Sequence, residues 1–311
     1  MVSTLTLNPC IDRTVRLSGF EYGGMNRIES DRRDVSGKGI NVSIALKGAG
    51  SAVRTGGFIY SGGSSFFLSE LGKQGISFEG IEVPGQIREN LKIWNECDSV
   101  TTEINQSGAY VPMAKWEEMK AFYRSFVKGS DLAVLSGSVP RGIPSDCYRT
   151  LAEIARESGV PVILDAEKDL LVNGMGDGVF LLKPNLYEFM SAFPVVSSDA
   201  LSIARRAIDE INRGACRVLC ITLGKDGAII ADEGHACYAP SPSGDVKCTQ
   251  GAGDSVVAGI CRAYEEGLGI KDMLRYGVAF AMGTLSREGT EMCTRADYEP
   301  FLPLVEVEEI I

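Results

Sequence analysis

A chain of 311 residues with a single histidine has little room for imidazole catalysis. Ser-His-Asp and Cys-His chemistry both need a histidine base held beside the nucleophile. His235, in "DEGHACY" just after a turn signal, reads as a surface residue, so acid–base work falls to a carboxylate. Runs of Lys and Arg are missing too, against a net charge of -10, which argues against a nucleic-acid partner. No apolar stretch approaches the roughly eighteen residues of a membrane span, and "MVSTLTLNPC" has no basic lead before an apolar core. The expectation is a soluble, unprocessed, cytoplasmic protein with no membrane partner. The 9 cysteines include no CxxC pair and their number is odd, so neither a disulfide framework nor a zinc site is indicated. Cys216 and Cys220, in "GACRVLCITLG", read as filler before and inside a buried strand.

What is present is a hydrophobic fraction of 44%, enough for one large α/β domain over residues 1–311. Apolar runs of strand length alternate with helical periodicity: "LAVLSG" before a helix begun at Ser145, then "PVILDA", "VFLLKP" and "RVLCITLG". That alternation predicts a parallel sheet with crossover helices. "SSDALSIARRAIDEINRGA" predicts a helix with Ser198 as N-cap and Gly214 at its stop. "MAKWEEMKAFYRSFVKG" puts Trp116, Met119, Tyr123, Phe126 and Val127 on one packed face. Residues 12–34 and 87–108 break the pattern, with polar–apolar alternation between turn signals. They predict small antiparallel strands inserted into the body as a lid over a cleft, not a separate domain.

Near the C-terminal third stands "CTQGAGDSVVAG". Gly251 and Gly253 let the backbone approach a ligand closely, and the helix that follows aims unpaired N–H groups forward, as an anion site requires. The competing reading makes Asp254 only a favourable first-turn charge. In "SGKGINV", Lys38 lies between glycines with Asn41 following, near another helix start. Neither stretch is a Walker A loop or a GxGxxG turn, so a nucleotide site would be of another type. In "LLKPNLYE", an apolar strand ends in Lys183, Pro184 and Asn185, Glu188 follows one helical turn later, and Asn185 and Glu188 face one way from a helix start. That suits water-coordinated magnesium beside phosphates; an N-cap with a capping-box glutamate is the alternative.

"TLNPCID", "SGKGINV", "LSGSVP", "LLKPNLYE", "ITLGKDGA" and "TQGAGDSVVAG" occur in the order and spacing of the ribokinase-like (PfkB) carbohydrate kinases. Over essentially its whole length the chain resembles that family, and within it the 1-phosphofructokinase and tagatose-6-phosphate kinase branch. The resemblance implies a three-layer α/β/α ribokinase-like sandwich with a small β-sheet lid. It implies transfer of the γ-phosphoryl group of ATP to a sugar hydroxyl, with Mg2+.

By the same resemblance Asp254 matches the catalytic base, and Gly251, Ala252 and Gly253 the backbone anion hole. Phosphoryl transfer asks chiefly for alignment and for stabilised equatorial oxygens, so a nest of amides with a carboxylate at its lip suits it. Asp12 matches a contact to sugar hydroxyls, and Gly37, Lys38, Gly39 and Asn41 the substrate loop, with Ser138 completing it. The branch's R-x-N-x-K pattern stands as Arg88, Asn90 and Lys92. Arg88 and Lys38 are candidates for a substrate phosphate, since a fork of N–H donors suits its oxygens. The competing reading pairs Arg88 with Glu89 or Glu103. Lys183, Asn185 and Glu188 carry over as phosphate and magnesium contacts, Glu188 reaching the metal through water. Thr222, Gly224 and Gly227 carry over as the loop under ribose and phosphate, with adenine around residues 275–284. Ser36 replaces a usual glycine, and "DAEKDLL" stands where the branch reads Asp-x-Ser-Gly, so the two departures bear on which sugar is taken.

The expected activity is ATP-dependent phosphorylation of D-fructose 1-phosphate, with tagatose 6-phosphate as the rival acceptor. A dehydrogenase would carry GxGxxG after its first strand, and "TLTLNPCID" does not. A catalytically silent sensor on the same fold would have lost the base or the anion hole. Pairing of lid edges predicts a homodimer.

Overall fold

The computed structural model describes residues 1–195 and 197–311. Its main sheet has 10 strands. From one edge the order is Phe78–Gln86, Val53–Gly62, Val2–Thr6, Leu132–Ser136, Val162–Asp165, Val179–Leu182 and Val218–Thr222, all parallel. Ala228–Ala231, Ala236–Ala239 and Glu308–Glu309 then continue it antiparallel. The central strands are aliphatic because both faces are covered, as a parallel sheet requires. Leu132, Val134, Ile163 and Leu181 pack toward one layer, Ala133, Leu135, Leu164 and Leu182 toward the other.

The first layer holds the helices Lys38–Gly48, Ala252–Glu265 and Ile270–Leu285. Ser64–Lys73, Met113–Phe126, Cys147–Glu157 and Ala200–Asn212 cover the opposite face. Three layers are therefore present, as the resemblance implied. Trp116, Met119, Tyr123, Phe126 and Val127 are all buried, and Gly214 follows the last helical turn of Ala200–Asn212 with φ +88. Among the described residues no helix is long and apolar enough to cross a membrane.

Two helix starts differ from the sequence reading. The helix expected from Ser145 begins at Cys147, because the Ser145 hydroxyl accepts from Asn173 Nδ2 (3.0 Å) while Cys147 N–H closes a turn onto Pro144. The cap expected at Ser198 is Asp199, whose carboxylate accepts from Ser202 N–H (2.9 Å). A carboxylate adds its charge to the cap bond at the positive end of the helix.

The two expected insertions form one sheet of 4 strands, in the order Ser30–Ser36, Cys10–Leu17, Arg88–Asn95, Val100–Asn105. The outer pairs are antiparallel as expected, but the central pair, Cys10–Leu17 with Arg88–Asn95, is parallel. The lid is therefore two ribbons laid side by side. Val15, Leu17 and Ile93 form its own small cluster. Along Arg88–Asn95 the alternation places Arg88, Asn90, Lys92 and Trp94 on one face and Leu91 and Ile93 on the other.

Val2–Thr6 sits between Val53–Gly62 and Leu132–Ser136, so chain order reverses there. Ligands of open α/β sheets lie beyond the carboxyl ends of the strands at such a switch point. Asn8, Ser138, Asp165, Lys183 and Thr222 all stand at or just after strand ends on that side. Helix Lys38–Gly48 is seated close against it: a Cβ on Gly39 would lie 2.4 Å from Thr6 Oγ1.

Candidate active site

Gly251 caps helix Ala252–Glu265 in the left-handed region (φ +74), and a Cβ there would also meet Met292 Sδ at 2.9 Å. Only glycine fits both conditions. The next amides open the helix and have no intrahelical acceptor, so they face the cleft as donors. Asp254 falls in this first turn, buried, and its Oδ2 accepts from Asn41 Nδ2 at 2.7 Å. Asn41 lies in helix Lys38–Gly48, capped by Gly37 at φ +129. One hydrogen bond thus ties the two helix starts together. Behind them, Ser255 Oγ meets Thr284 Oγ1 (2.6 Å), which accepts from Cys293 N–H.

Burial pushes the Asp254 carboxyl up to about 6, and the negative Asp165 adds to this; Lys38, the Asn41 amide and Lys183 oppose it. A carboxyl titrating near neutrality is poised to exchange a proton with a hydroxyl.

Asp165 ends strand Val162–Asp165 with no solvent exposure. Its Oδ1 accepts from Lys38 Nζ at 3.0 Å and lies 3.4 Å from Lys183 Nζ. Burial alone would raise its pKa, yet Lys183 and Lys38 together hold it below the usual aspartate range. Burial works against the Lys38 ammonium, and Asp165 and Asp254 outweigh it, raising its pKa. A Cβ on Gly253 would lie 3.6 Å from Lys183 Nζ, so this ammonium stands directly before the glycine turn.

Beside Lys183, Asn185 and Glu188 form a complete capping box: Asn185 Oδ1 accepts from Glu188 N–H and Glu188 Oε2 from Asn185 N–H, both at 2.8 Å. The structural alternative for this pair is therefore realised, and the second carboxylate oxygen remains for a ligand. Among the described residues no group of three or more His, Cys, Asp or Glu side chains gathers as a metal centre. Thr222 bridges to Asn185 and donates its N–H to Pro184, bringing the turn Gly224–Asp226 alongside. Gly227 (φ +97) runs so close to the neighbouring strand that a Cβ would lie 1.9 Å from the Ala239 carbonyl. Of residues 275–284, only Arg275, Tyr276 and Ala281 keep partial exposure; the others pack inward in helix Ile270–Leu285.

On the lid side Asp12 accepts from Asn90 Nδ2 (2.9 Å) and from Lys92 Nζ (2.6 Å), with all three residues buried. Burial opposes its ionisation, but Lys92, Ser36 and Asn90 hold its pKa low. Ser36 thus has a local role beside Asp12. Arg88 donates Nε to the Asn8 carbonyl (3.0 Å), and its NH1 reaches Asn90 Oδ1 and the Gln106 carbonyl. The carboxylates that might have claimed it are engaged elsewhere: Glu89 with Arg13 and Arg33, Glu103 with Gln250 and Asn105. Ser138 Oγ accepts from Asn8 Nδ2 at 3.0 Å. Ligating residues predicted separately on sugar and nucleotide sides thus converge on one edge, with Asp254 and the Lys38–Asp165–Lys183 cluster between.

Sequence reasoning did not single out Asp165, Asn8 or Gln250. Asp165 carried a usable signal, being the charged residue that ends an otherwise aliphatic strand on the ligand side of the sheet. Asn8 and Gln250 lie within the quoted motifs "TLNPCID" and "TQGAGDSVVAG", but nothing in the spacing names their partners.

The model of the pfkB family carbohydrate kinases matches residues 5–297. A 1-phosphofructokinase of Bacillus subtilis is 31% identical over 309 residues, covering 99% of both chains. A tagatose-6-phosphate kinase of Staphylococcus epidermidis is 26% identical, covering 100% of both. Phosphofructokinase-2 from Escherichia coli in complex with potassium shares the fold with a TM-score of 0.91, at 23% identity over 97% of this chain and 98% of that one.

Asp165 generates a test of the buried cluster. Removing one partner of a buried charge set costs about 3–5 kcal/mol, so Asp165→Asn is expected to lower unfolding free energy by about that amount in urea titrations. Loss of its negative charge also moves the Asp254 midpoint below 6, readable by carboxyl NMR. A variant as stable as wild type with an unmoved midpoint would remove Asp165 from the centre of the site.

Proposed function

The chain belongs to the pfkB family of carbohydrate kinases, and from that premise we propose that it phosphorylates a ketohexose monophosphate with ATP, D-fructose 1-phosphate giving fructose 1,6-bisphosphate. Tagatose 6-phosphate is the rival acceptor, as the name of the second relative suggests. The observation that carries a phosphorylated acceptor is the charge balance of the cleft. Lys38 and Lys183 share Asp165, and Lys92 has Asp12, whereas the Arg88 guanidinium meets only amide and carbonyl oxygens among the described residues. A half-buried guanidinium without a counter-charge favours an anionic ligand. A free sugar offers only hydroxyls.

In the proposed reaction Asp12 and Asn90 orient the acceptor and Arg88 holds its phosphate. Asp254 takes the proton of the attacking hydroxyl as the bond from that oxygen to the γ-phosphorus forms. The bond from the γ-phosphorus to the β–γ bridging oxygen breaks, leaving ADP. The helix-start amides of Gly251, Ala252 and Gly253, with Lys183, receive the charge on the transferring group. Lys183, Asn185 and the turn of Thr222, Gly224 and Gly227 receive the nucleotide phosphates and ribose. A lone carboxylate with one oxygen uncommitted fits a Mg2+ ion held mainly by phosphate and water, so Glu188 would hold it through water. The ion would neutralise charge between the β- and γ-phosphates. An intact base and glycine turn favour a catalyst over a silent sensor.

We also propose that residues 1–311 work as one domain, since the lid cluster of Val15, Leu17 and Ile93 is too small to fold alone. The lid's outer face exposes Val100 and Ile104, and the loop beside it Phe20, Tyr22, Met25 and Ile28. Apolar area of this kind on an edge suits self-pairing into a homodimer. Sedimentation at micromolar concentration is expected to give a dimer; an active monomer there would count against it.

ADP release measured across fructose, tagatose and ribose phosphates is the deciding assay. We expect fructose 1-phosphate to exceed fructose by at least about 100-fold in kcat/KM, and Arg88→Ala to remove most of that preference. Preference for a free sugar, or unchanged discrimination in Arg88→Ala, would overturn the phosphate-acceptor reading.

Because the base acts only when ionised, kcat/KM rises with pH through about 6 in wild type and is flat there in Asp254→Asn, whose kcat drops about 10²- to 10⁴-fold. A variant keeping more than about a tenth of wild-type kcat removes Asp254 from the role of base.

A further inference from the structure

Gln250 immediately precedes Gly251, the residue whose left-handed conformation opens the phosphoryl-binding helix. Its side chain turns away from the nucleotide side, toward the lid. Lys92 Nζ donates to Gln250 Oε1 at 2.7 Å, and Gln250 Nε2 donates to Glu103 Oε1 at 3.0 Å. Lys92 and Glu103 are directly paired residues on adjacent lid strands. A primary amide accepts from the ammonium through its oxygen and donates to the carboxylate through its nitrogen, with no charge of its own. The same ammonium donates to Asp12 at 2.6 Å. Asp12, Lys92, Gln250 and the glycine turn therefore form one unbroken chain from the lid's acceptor side to the backbone that receives phosphoryl charge. Of the two tryptophans in the sequence, Trp116 is buried in the core and Trp94 stands on the lid beside Lys92 and Gln250, lining a cleft of ≈ 760 Å³.

We propose that Gln250 is a positioning residue that couples the lid to the phosphoryl-binding turn, so that a sugar phosphate seated under the lid and the turn are brought into register together. The inference rests on the sugar-phosphate kinase reading of this site. Neither amide bond touches a group assigned to ribose or to the other nucleotide phosphates, so uncoupling leaves ATP binding in place and is read in the sugar-dependent step. A hydrogen bond to a charged group is worth enough that losing it changes rates about 10- to 100-fold.

The test uses the full chain and the best acceptor from the hexose phosphate panel. Gln250→Leu, which keeps the bulk and loses both bonds, is expected to lower kcat/KM for the sugar phosphate about 10- to 100-fold. ATP affinity measured without sugar stays within about twofold, and the change in Trp94 emission on sugar-phosphate addition shrinks. Adding Glu103→Ala to Gln250→Leu costs little more, because partners in one network are not additive. Gln250→Glu alone sets two carboxylates against each other and is expected to be impaired. Combined with Glu103→Gln, which restores a donor opposite the new acceptor, it recovers most of the activity.

A Gln250→Leu enzyme with wild-type kcat/KM, independent losses in the double variant, or no rescue by the exchanged pair would each overturn the coupling. Wild-type protein that turned over no hexose phosphate would overturn the reading of the site instead, and the inference with it.

Discussion

A carboxylate with no exposure to solvent, Asp165, holds Lys38 from a helix start and Lys183 from a neighbouring strand end, and the cleft is arranged around it. Two ammonium groups close together repel, and neither would stay ordered in a partly dry cleft without a shared counter-charge. Placing that counter-charge at the end of a central strand fixes both lysines relative to the sheet. The Asp254 carboxyl is then set by what Asp165 leaves over, its burial and its negative neighbour outweighing the lysines that would otherwise keep it a strong acid. One buried charge thus tunes another.

Local chemistry that depends on neighbours in sequence was legible before any coordinates. The glycine turn before Asp254, the strand ends at Lys183 and Thr222, and the packed face of Met113–Phe126 follow from spacing alone, because a helix start or a strand end is a local event. Pairings between distant segments were not. Nothing in "RENLKIW" states that Lys92 meets Gln250, 158 positions later, and nothing in "PVILDA" states which cations its aspartate serves. Helix starts slipped by one or two residues where a carboxylate cap outcompeted a hydroxyl at Ser198, or where Asn173 claimed the hydroxyl of Ser145.

The lid shows how a flat ribbon acquires two characters. Its inner face carries Asp12, Asn90 and Lys92, whose polar groups satisfy one another, so that a buried set of charges is tolerated. Its outer face carries Val15, Leu17 and Ile93. A period of two along each strand is enough to separate a polar network from packing.

The parallel pairing at the centre of the lid also sets an order of events during folding. Parallel strands cannot be joined by a tight turn, and the chain between Cys10–Leu17 and Arg88–Asn95 runs through Ser30–Ser36, the helix Lys38–Gly48 and the sheet strands Val53–Gly62 and Phe78–Gln86. The two ribbons can meet only after that intervening segment has found its place, since contacts between distant positions incur the full loss of loop entropy first. The register of the two ribbons is thus set by the sheet edge beneath them and not by a local turn. A nascent chain therefore holds all four lid strands long before it holds the glycine turn, whose tie to Asn41 spans 213 positions.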